Sequence, residues 1–147
     1  MSNEKQQQME QRIRSFVENV SAGQQGRVLG MIRPSFVSCD AEEQTLLLSY
    51  PCQDWESNPN GVMQGGIVAT ILDFSIACLA INYAGDAPVT VSLQTSYLRG
   101  CPVSGTLMVK VRATKVGRTL LHAFVECWEE STPGKLVATA NGAYMAG

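Results

Sequence analysis

The segment 58–73 reads NPNGVMQGGIVATILD: a polar opening, an apolar close, two adjacent glycines at the join, and one acid seven residues past the second. Read as a helix opening at Gly65-Gly66, it sets Asp73 within three or four positions of Ala69, Thr70, Ile76 and Ala77. Gly66 and Ala80 lie one turn further along that face. A carboxylate among small apolar side chains is costly to bury unless something compensates. Burial disfavours the ionised form of any carboxylate, which suits a general base or a nucleophile. Small neighbours leave room for a substrate or another backbone. The competing reading is that Asp73 reaches solvent or pairs with one of the few arginines.

The glycines add a second group. The first N–H groups of a helix have no internal acceptor and stand at the positive end of the helix dipole. Without side chains there, a substrate oxygen can approach Gly65 N–H and Gly66 N–H, which is a workable oxyanion site. The alternative is that the pair serves only a tight loop-to-helix turn.

These groups need elements to hold them. Residues 1–8, MSNEKQQQ, are expected to be disordered, and 9–147 to form one domain. Met9, Ile13, Phe16, Val17 and Val20 recur at helical spacing and predict a short amphipathic helix ending near Gly23. Val28–Val37 and Thr45–Tyr50 read as strands joined by a turn at Asp40-Ala41-Glu42-Glu43. Pro51–Gly61 is a loop of turn formers. Gly65–Tyr83 reads as the main helix, with Ile67, Ile71, Phe74, Cys78 and Ile81 as its core stripe. Four strand-like runs follow, Val89–Leu98, Gly105–Val116, Thr119–Glu129 and Lys135–Met145, joined by short turns as in a meander. Six strands and one long apolar helix predict an α+β fold, an antiparallel sheet with the helix packed on one face.

The chain has 147 residues, 45% of them hydrophobic, with 11 basic and 13 acidic side chains and a net charge of −2. That composition excludes a disordered chain and offers no basic field for nucleic acid. The longest apolar run is interrupted by Thr70, Asp73 and Ser75 and is too short for a membrane span. The single histidine, His122, excludes a histidine-rich metal site and is expected on a strand surface or groove. Cys39, Cys52, Cys78, Cys101 and Cys127 are odd in number, form no C-x-x-C, and follow no signal-peptide pattern. They are expected as free thiols in a reducing cytoplasm, with Cys78 in the core. Trp55 is read as a loop anchor or an acyl-pocket wall, and Phe74 and Tyr83 as core.

The constellation resembles the hotdog-fold acyl-CoA thioesterases of the phenylacetate-degradation type over about residues 25–146. That family is marked by an asparagine, a glycine, His-Gly-Gly, and an acid seven residues on. Here these fall on Asn58, Gly61, Gln64-Gly65-Gly66 and Asp73. Thr90–Arg99 resembles the family's third strand, and Val116-Gly117-Arg118-Thr119-Leu120 a later inter-strand turn. The resemblance implies a hotdog fold, a long central helix wrapped by a roughly six-stranded antiparallel sheet, with a short N-terminal helix. It implies that Asp73 activates water or attacks the thioester, that Gly65 N–H binds the carbonyl oxygen, and that Asn58 positions water or thioester. Gly66, Thr90, Arg99, Gly117 and Arg118 become substrate-binding candidates, the arginines toward the CoA phosphates. It further implies an active site shared across a homodimer, with a tetramer open, an acyl-CoA substrate, and no metal, redox cofactor, nucleic acid or membrane partner.

The departure is Gln64, where the family has histidine. Glutamine donates and accepts hydrogen bonds but does not titrate. Gln64 therefore serves if that position shapes the loop or donates a bond, and slows the reaction if proton transfer is needed there. The reading is an acyl-CoA thioesterase; the alternatives are a non-catalytic acyl-CoA-binding hotdog protein and, further off, a hotdog hydratase or a ligand-sensing regulator.

Overall fold

The computed structural model describes residues 2–146. Helix α1 spans Ser2–Gly23 and a one-turn helix α2 spans Val28–Met31. Strands β1 (Ser35–Asp40) and β2 (Thr45–Pro51) lead through a single 3-10 turn at Asp54–Glu56 into the central helix α3, Gly65–Ala80. Then come β3 (Val89–Tyr97), β4 (Thr106–Val116), β5 (Leu120–Glu129) and β6 (Leu136–Met145). All six strands form one antiparallel sheet in the order β1-β2-β4-β5-β6-β3. This is the α+β hotdog architecture that the sequence predicts.

The core lies between the sheet's inner face and α3. The central helix is apolar nearly all round, and Val68, Ile71, Leu72, Phe74, Ser75, Ile76, Cys78, Leu79 and Ala80 are buried. The stripe Gly66, Ala69, Thr70, Asp73 and Ala77 stays partly open. Alternate residues of β4 and β5 pack on the helix: Leu107, Val109 and Val111 from one, Leu121, Ala123 and Val125 from the other. Ser75, the one buried hydroxyl of α3, is satisfied by Tyr50 Oη at 2.7 Å and by donating to Ile71 O. Met9, Ile13 and Val17 of α1 close one flank, and Phe16 stacks on Phe74 with ring centroids 6.0 Å apart. Arg12 donates to Ile81 O at 2.8 Å, placing a cation at the negative end of α3.

Three expectations change. Helix α1 begins at Ser2 rather than near Met9, and Met1 lies outside the described residues. Gln6 gives the reason: its Nε2 donates to Cys39 O and its Oε1 accepts from Ala41 N–H, each at 2.7 Å, tying the first turns to the β1–β2 hairpin. Second, Val28–Met31 is helical and not strand. Gly30 there backs onto Gln24, whose carbonyl oxygen stands 2.0 Å from where a Cβ would sit, so this turn packs against the end of α1. Third, the last four strands are not a simple meander. β4, β5 and β6 are neighbours, but β3 pairs with β6 at the sheet edge and β2 takes the place beside β4.

Candidate active site

Two clusters stand at opposite ends of β3, one at the start of α3 and the other at its middle. The first is built by the loop that enters the helix. Asn58 N–H donates to Val62 O at 2.7 Å, and Asn58 Oδ1 accepts from Asn60 N–H at 2.9 Å and Val62 N–H at 3.3 Å. Two backbone donors require the oxygen to face inward, so the Asn58 amide nitrogen faces away from its own loop. Gly61, at φ +79°, supplies the left-handed residue of this turn. Gln64 N–H donates to Glu56 O at 2.7 Å, and Gln64 O accepts from Ile67 N–H and Val68 N–H. Gln64 is thus the N-cap of α3 by its backbone, while its exposed side chain makes no capping bond.

Tyr97, from the end of β3, lies over the helix start and donates from Oη to Gly65 O at 2.6 Å. Its ring stands 3.4 Å from where a Gly65 Cβ would sit. That bond engages the Gly65 carbonyl. Among the described residues the Gly65 and Gly66 N–H groups have no acceptor. A cleft of about 330 Å³ opens here, lined among others by Asn58, Gly65, Val68, Tyr97, Arg99 and Val137.

The second cluster surrounds Asp73, which is half-buried. Thr90 Oγ1 donates to Asp73 Oδ1 at 2.9 Å. Tyr144 Oη reaches the same Oδ1 and also Asp73 O at 2.5 Å. Burial, and then the bond with Asp73, raises the pKa of the Tyr144 phenol, so it remains a protonated donor. Thr90 reaches Asp73 because of a β-bulge. Thr90 pairs with Tyr144 and Ser92 with Ala143, leaving Val91 as the extra residue of β3. Strict alternation would put Thr90 on the face opposite Leu93; the bulge turns both inward.

Gly65 and Asp73 are eight residues apart on one helix, about 12 Å of axial rise. One chain therefore keeps its candidate oxyanion donors and its acid apart. Arg99 and Arg118 are both exposed and also lie at opposite ends. Arg99 follows Tyr97, its N–H bonded to Val137 O, whereas Arg118 precedes Leu120, which pairs with Met145. Gly117 closes the β4–β5 turn through Leu120 O, which would stand 2.9 Å from a Cβ there.

A family model of the thioesterase superfamily matches residues 60–134. The chain belongs to the thioesterase superfamily. The matched span holds the Gln64-Gly65-Gly66 turn, α3 with Asp73, and strands β3 to β5. It is 26% identical over 99 residues to acyl-coenzyme A thioesterase 13 of Mus musculus, covering 67% of this chain and 70% of that one. The Homo sapiens protein of the same name is 27% identical over 113 residues, covering 76% and 77%. Among solved structures, a phenylacetic acid degradation-related protein of Ralstonia eutropha JMP134 superposes with a TM-score of 0.74 at 28% identity, covering 88% of this chain and 98% of that one. The enzyme class the sequence predicts, a thioester hydrolase, is that of the superfamily.

Within this superfamily member several side chains differ from expectation. Asp73 is not enclosed by small apolar residues alone; two hydroxyls serve it, and no arginine does. The one ion pair among the described residues joins Arg12 to Asp86 at 3.2 Å. Trp55 is exposed and lies outside the Asn58–Gly65 cleft, while Phe74 and Cys78 are core as expected and Tyr83 is half-buried. His122 lies on the outer sheet face beside Asn141 and Gln94. All five cysteines are free; burial pushes the Cys39 thiol up to about 11 and Cys127 to about 12, which makes poor nucleophiles of both.

Three residues escaped the sequence reading. Tyr97 was visible only as one position of a strand. Tyr144 had a signal: it ends the inward series Ala138, Ala140, Gly142, Tyr144, a lone hydroxyl-bearing ring on a face of small residues. Glu56 had none. It is 1% exposed; Oε1 accepts from Gln53 N–H at 2.7 Å, and Oε2 has no partner among the described residues. Burial raises its pKa.

Proposed function

We propose that this chain hydrolyses an acyl-CoA to the free acid and CoA in a site completed by a second copy. The observation that carries the reading is that one chain holds the Gly65 N–H groups and Asp73 eight residues apart along α3, about 12 Å of axial rise. Among the described residues the edge of β3 opposite β6 has no strand partner, and Val89, Val91, Tyr97 and the following Leu98 are exposed. An unpaired edge with apolar side chains invites pairing with another strand. Two copies paired antiparallel along this edge, centred near Leu93, set the Tyr97 end of one against the Val89 end of the other. Asp73 then faces Gly65 of the partner subunit, and Arg118 approaches Arg99 of the partner subunit. A dimer is the minimum assembly on this reading, and its free thiols suit a reducing compartment such as the cytoplasm.

In that site the thioester carbonyl oxygen rests on the partner subunit's Gly65 N–H, at the positive end of that subunit's α3, with the amide nitrogen of the partner subunit's Asn58 alongside. In the general-base route Asp73 takes a proton from water as the water oxygen attacks the carbonyl carbon. The oxyanion is held by the N–H group, the C–S bond breaks, and CoA leaves with that proton. In the covalent route an Asp73 oxygen attacks, CoA leaves, and water splits the mixed anhydride. Gln64 supplies no titrating group, so in the general-base route the proton traffic falls to Asp73. In the covalent route Asp73 is acylated, and the departing thiolate is protonated by the proton that the anhydride-splitting water releases through solvent.

The test is thioester hydrolysis, read with a thiol reagent, on acetyl-, hexanoyl-, palmitoyl- and benzoyl-CoA. Turnover by the wild type, reduced about 100-fold or more in Asp73→Asn, is expected for loss of a general base. Binding of these thioesters with no turnover of any would establish the non-catalytic acyl-CoA-binding protein instead.

A further inference from the structure

We propose that Tyr144 is a positioning residue for Asp73, selecting which carboxylate oxygen meets the substrate; this rests on the thioesterase reading. A carboxylate turns easily about its last bond, where the energy wells are broad and two-fold. Two donors on one oxygen restrain that rotation. Thr90 Oγ1, at 2.9 Å, and Tyr144 Oη both meet Oδ1 of Asp73, and Oδ2 has no partner among the described residues. Oδ2 is therefore the oxygen that takes the proton or attacks the carbonyl.

Tyr144 is the firmer of the two restraints. Its ring is 1% exposed in the core, where it opposes Leu121 on β5 and Thr90 on β3. Its hydroxyl sits between the main-chain oxygen and the side chain of the same aspartate, tying β6 to the middle of α3. The single O–H proton serves one acceptor at a time, and the charged carboxylate is the stronger. Thr90 comes from an exposed edge strand and reaches Asp73 only through the Val91 bulge.

The test compares Tyr144→Phe with the wild type and Asp73→Asn. Phenylalanine keeps the ring in the core and removes the donor. Loss of a hydrogen bond to a charged group predicts a fall in kcat of about 10-fold or more, with KM changed less than about 3-fold. A second measurement does not depend on that variant folding. Proton NMR of the wild type should show a slowly exchanging tyrosine hydroxyl resonance that moves upfield in Asp73→Asn. An unchanged kcat in a folded Tyr144→Phe, or a hydroxyl resonance indifferent to Asp73→Asn, overturns the role of Tyr144 while leaving the hydrolase intact. Absence of turnover by the wild type on every thioester overturns the underlying reading, and this proposal with it.

Discussion

Asn58 engages its side-chain oxygen within its own loop and leaves its amide nitrogen outward. Shape and chemistry at this residue can therefore be separated. Asn58→Asp keeps the acceptor for Asn60 N–H and Val62 N–H but loses the outward donor and adds a charge beside the proposed oxyanion site. The expected result is a melting temperature near that of the wild type with turnover reduced about 100-fold or more, the scale of one lost oxyanion donor. Asn58→Ala should lower both. Glu56, beneath the same loop, makes a pH prediction. Its folded pKa lies above the ordinary 4.5 because burial disfavours the charge. The unfolded chain therefore releases this proton first as pH rises, and stability drains away from about 4.5 up to the folded value. Glu56→Gln removes that dependence. Thermal melts from pH 4 to 8 should show the variant gaining on the wild type as pH rises, and a gap constant across that range would refute the assignment.

At the scale of elements, α3 presents its acid and its N–H groups along one partly open stripe. A Cβ on Gly66 would meet nothing within 4 Å in the single chain. Replacing a helical glycine by alanine reduces the freedom of the unfolded chain and stabilises by about 0.4–1 kcal/mol. Gly66→Ala should therefore melt slightly higher, while kcat/KM falls if a thioester or a second chain lies against this turn. A variant that is both more stable and fully active would show that nothing approaches Gly66 during turnover. Strand β3 works differently: its bulge at Val91 decides which side chains face inward, and so whether Thr90 meets Asp73 at all.

The whole molecule decides whether the half-sites cooperate in one chain or across two. Asp73→Asn and Gly65→Val should each be inactive alone. If the site is shared, a mixed dimer holds one site built from the intact Asp73 of one copy and the intact Gly65 of the other. Denaturing and refolding an equal mixture should then restore about a quarter of wild-type activity, half the sites in half the dimers. Activity no greater than the sum of the separate variants would mean that the acid and the oxyanion donors are not shared in this way. Sedimentation of the wild type should show a dimer or a larger even assembly.

Much of this was legible in the chain itself. The α+β class, the start of α3 at Gly65 and the last three strands to within a residue or two follow from apolar spacing and turn residues, because period and punctuation are local properties. Asn58, Gly65 and Asp73 could be singled out as candidates too, being set close together on one loop and one helix. Position in space was not legible. Alternation places Thr90 outward until the Val91 bulge turns it, and nothing near Tyr144 announces an aspartate 71 residues earlier in the chain. Strand order likewise depends on which edges meet after collapse, so β3 left its sequence neighbour β4 for β6. Short-range geometry is written in the side chains of each segment, whereas long-range contacts come from packing those segments together, and the hydroxyls on Asp73 belong to the second kind.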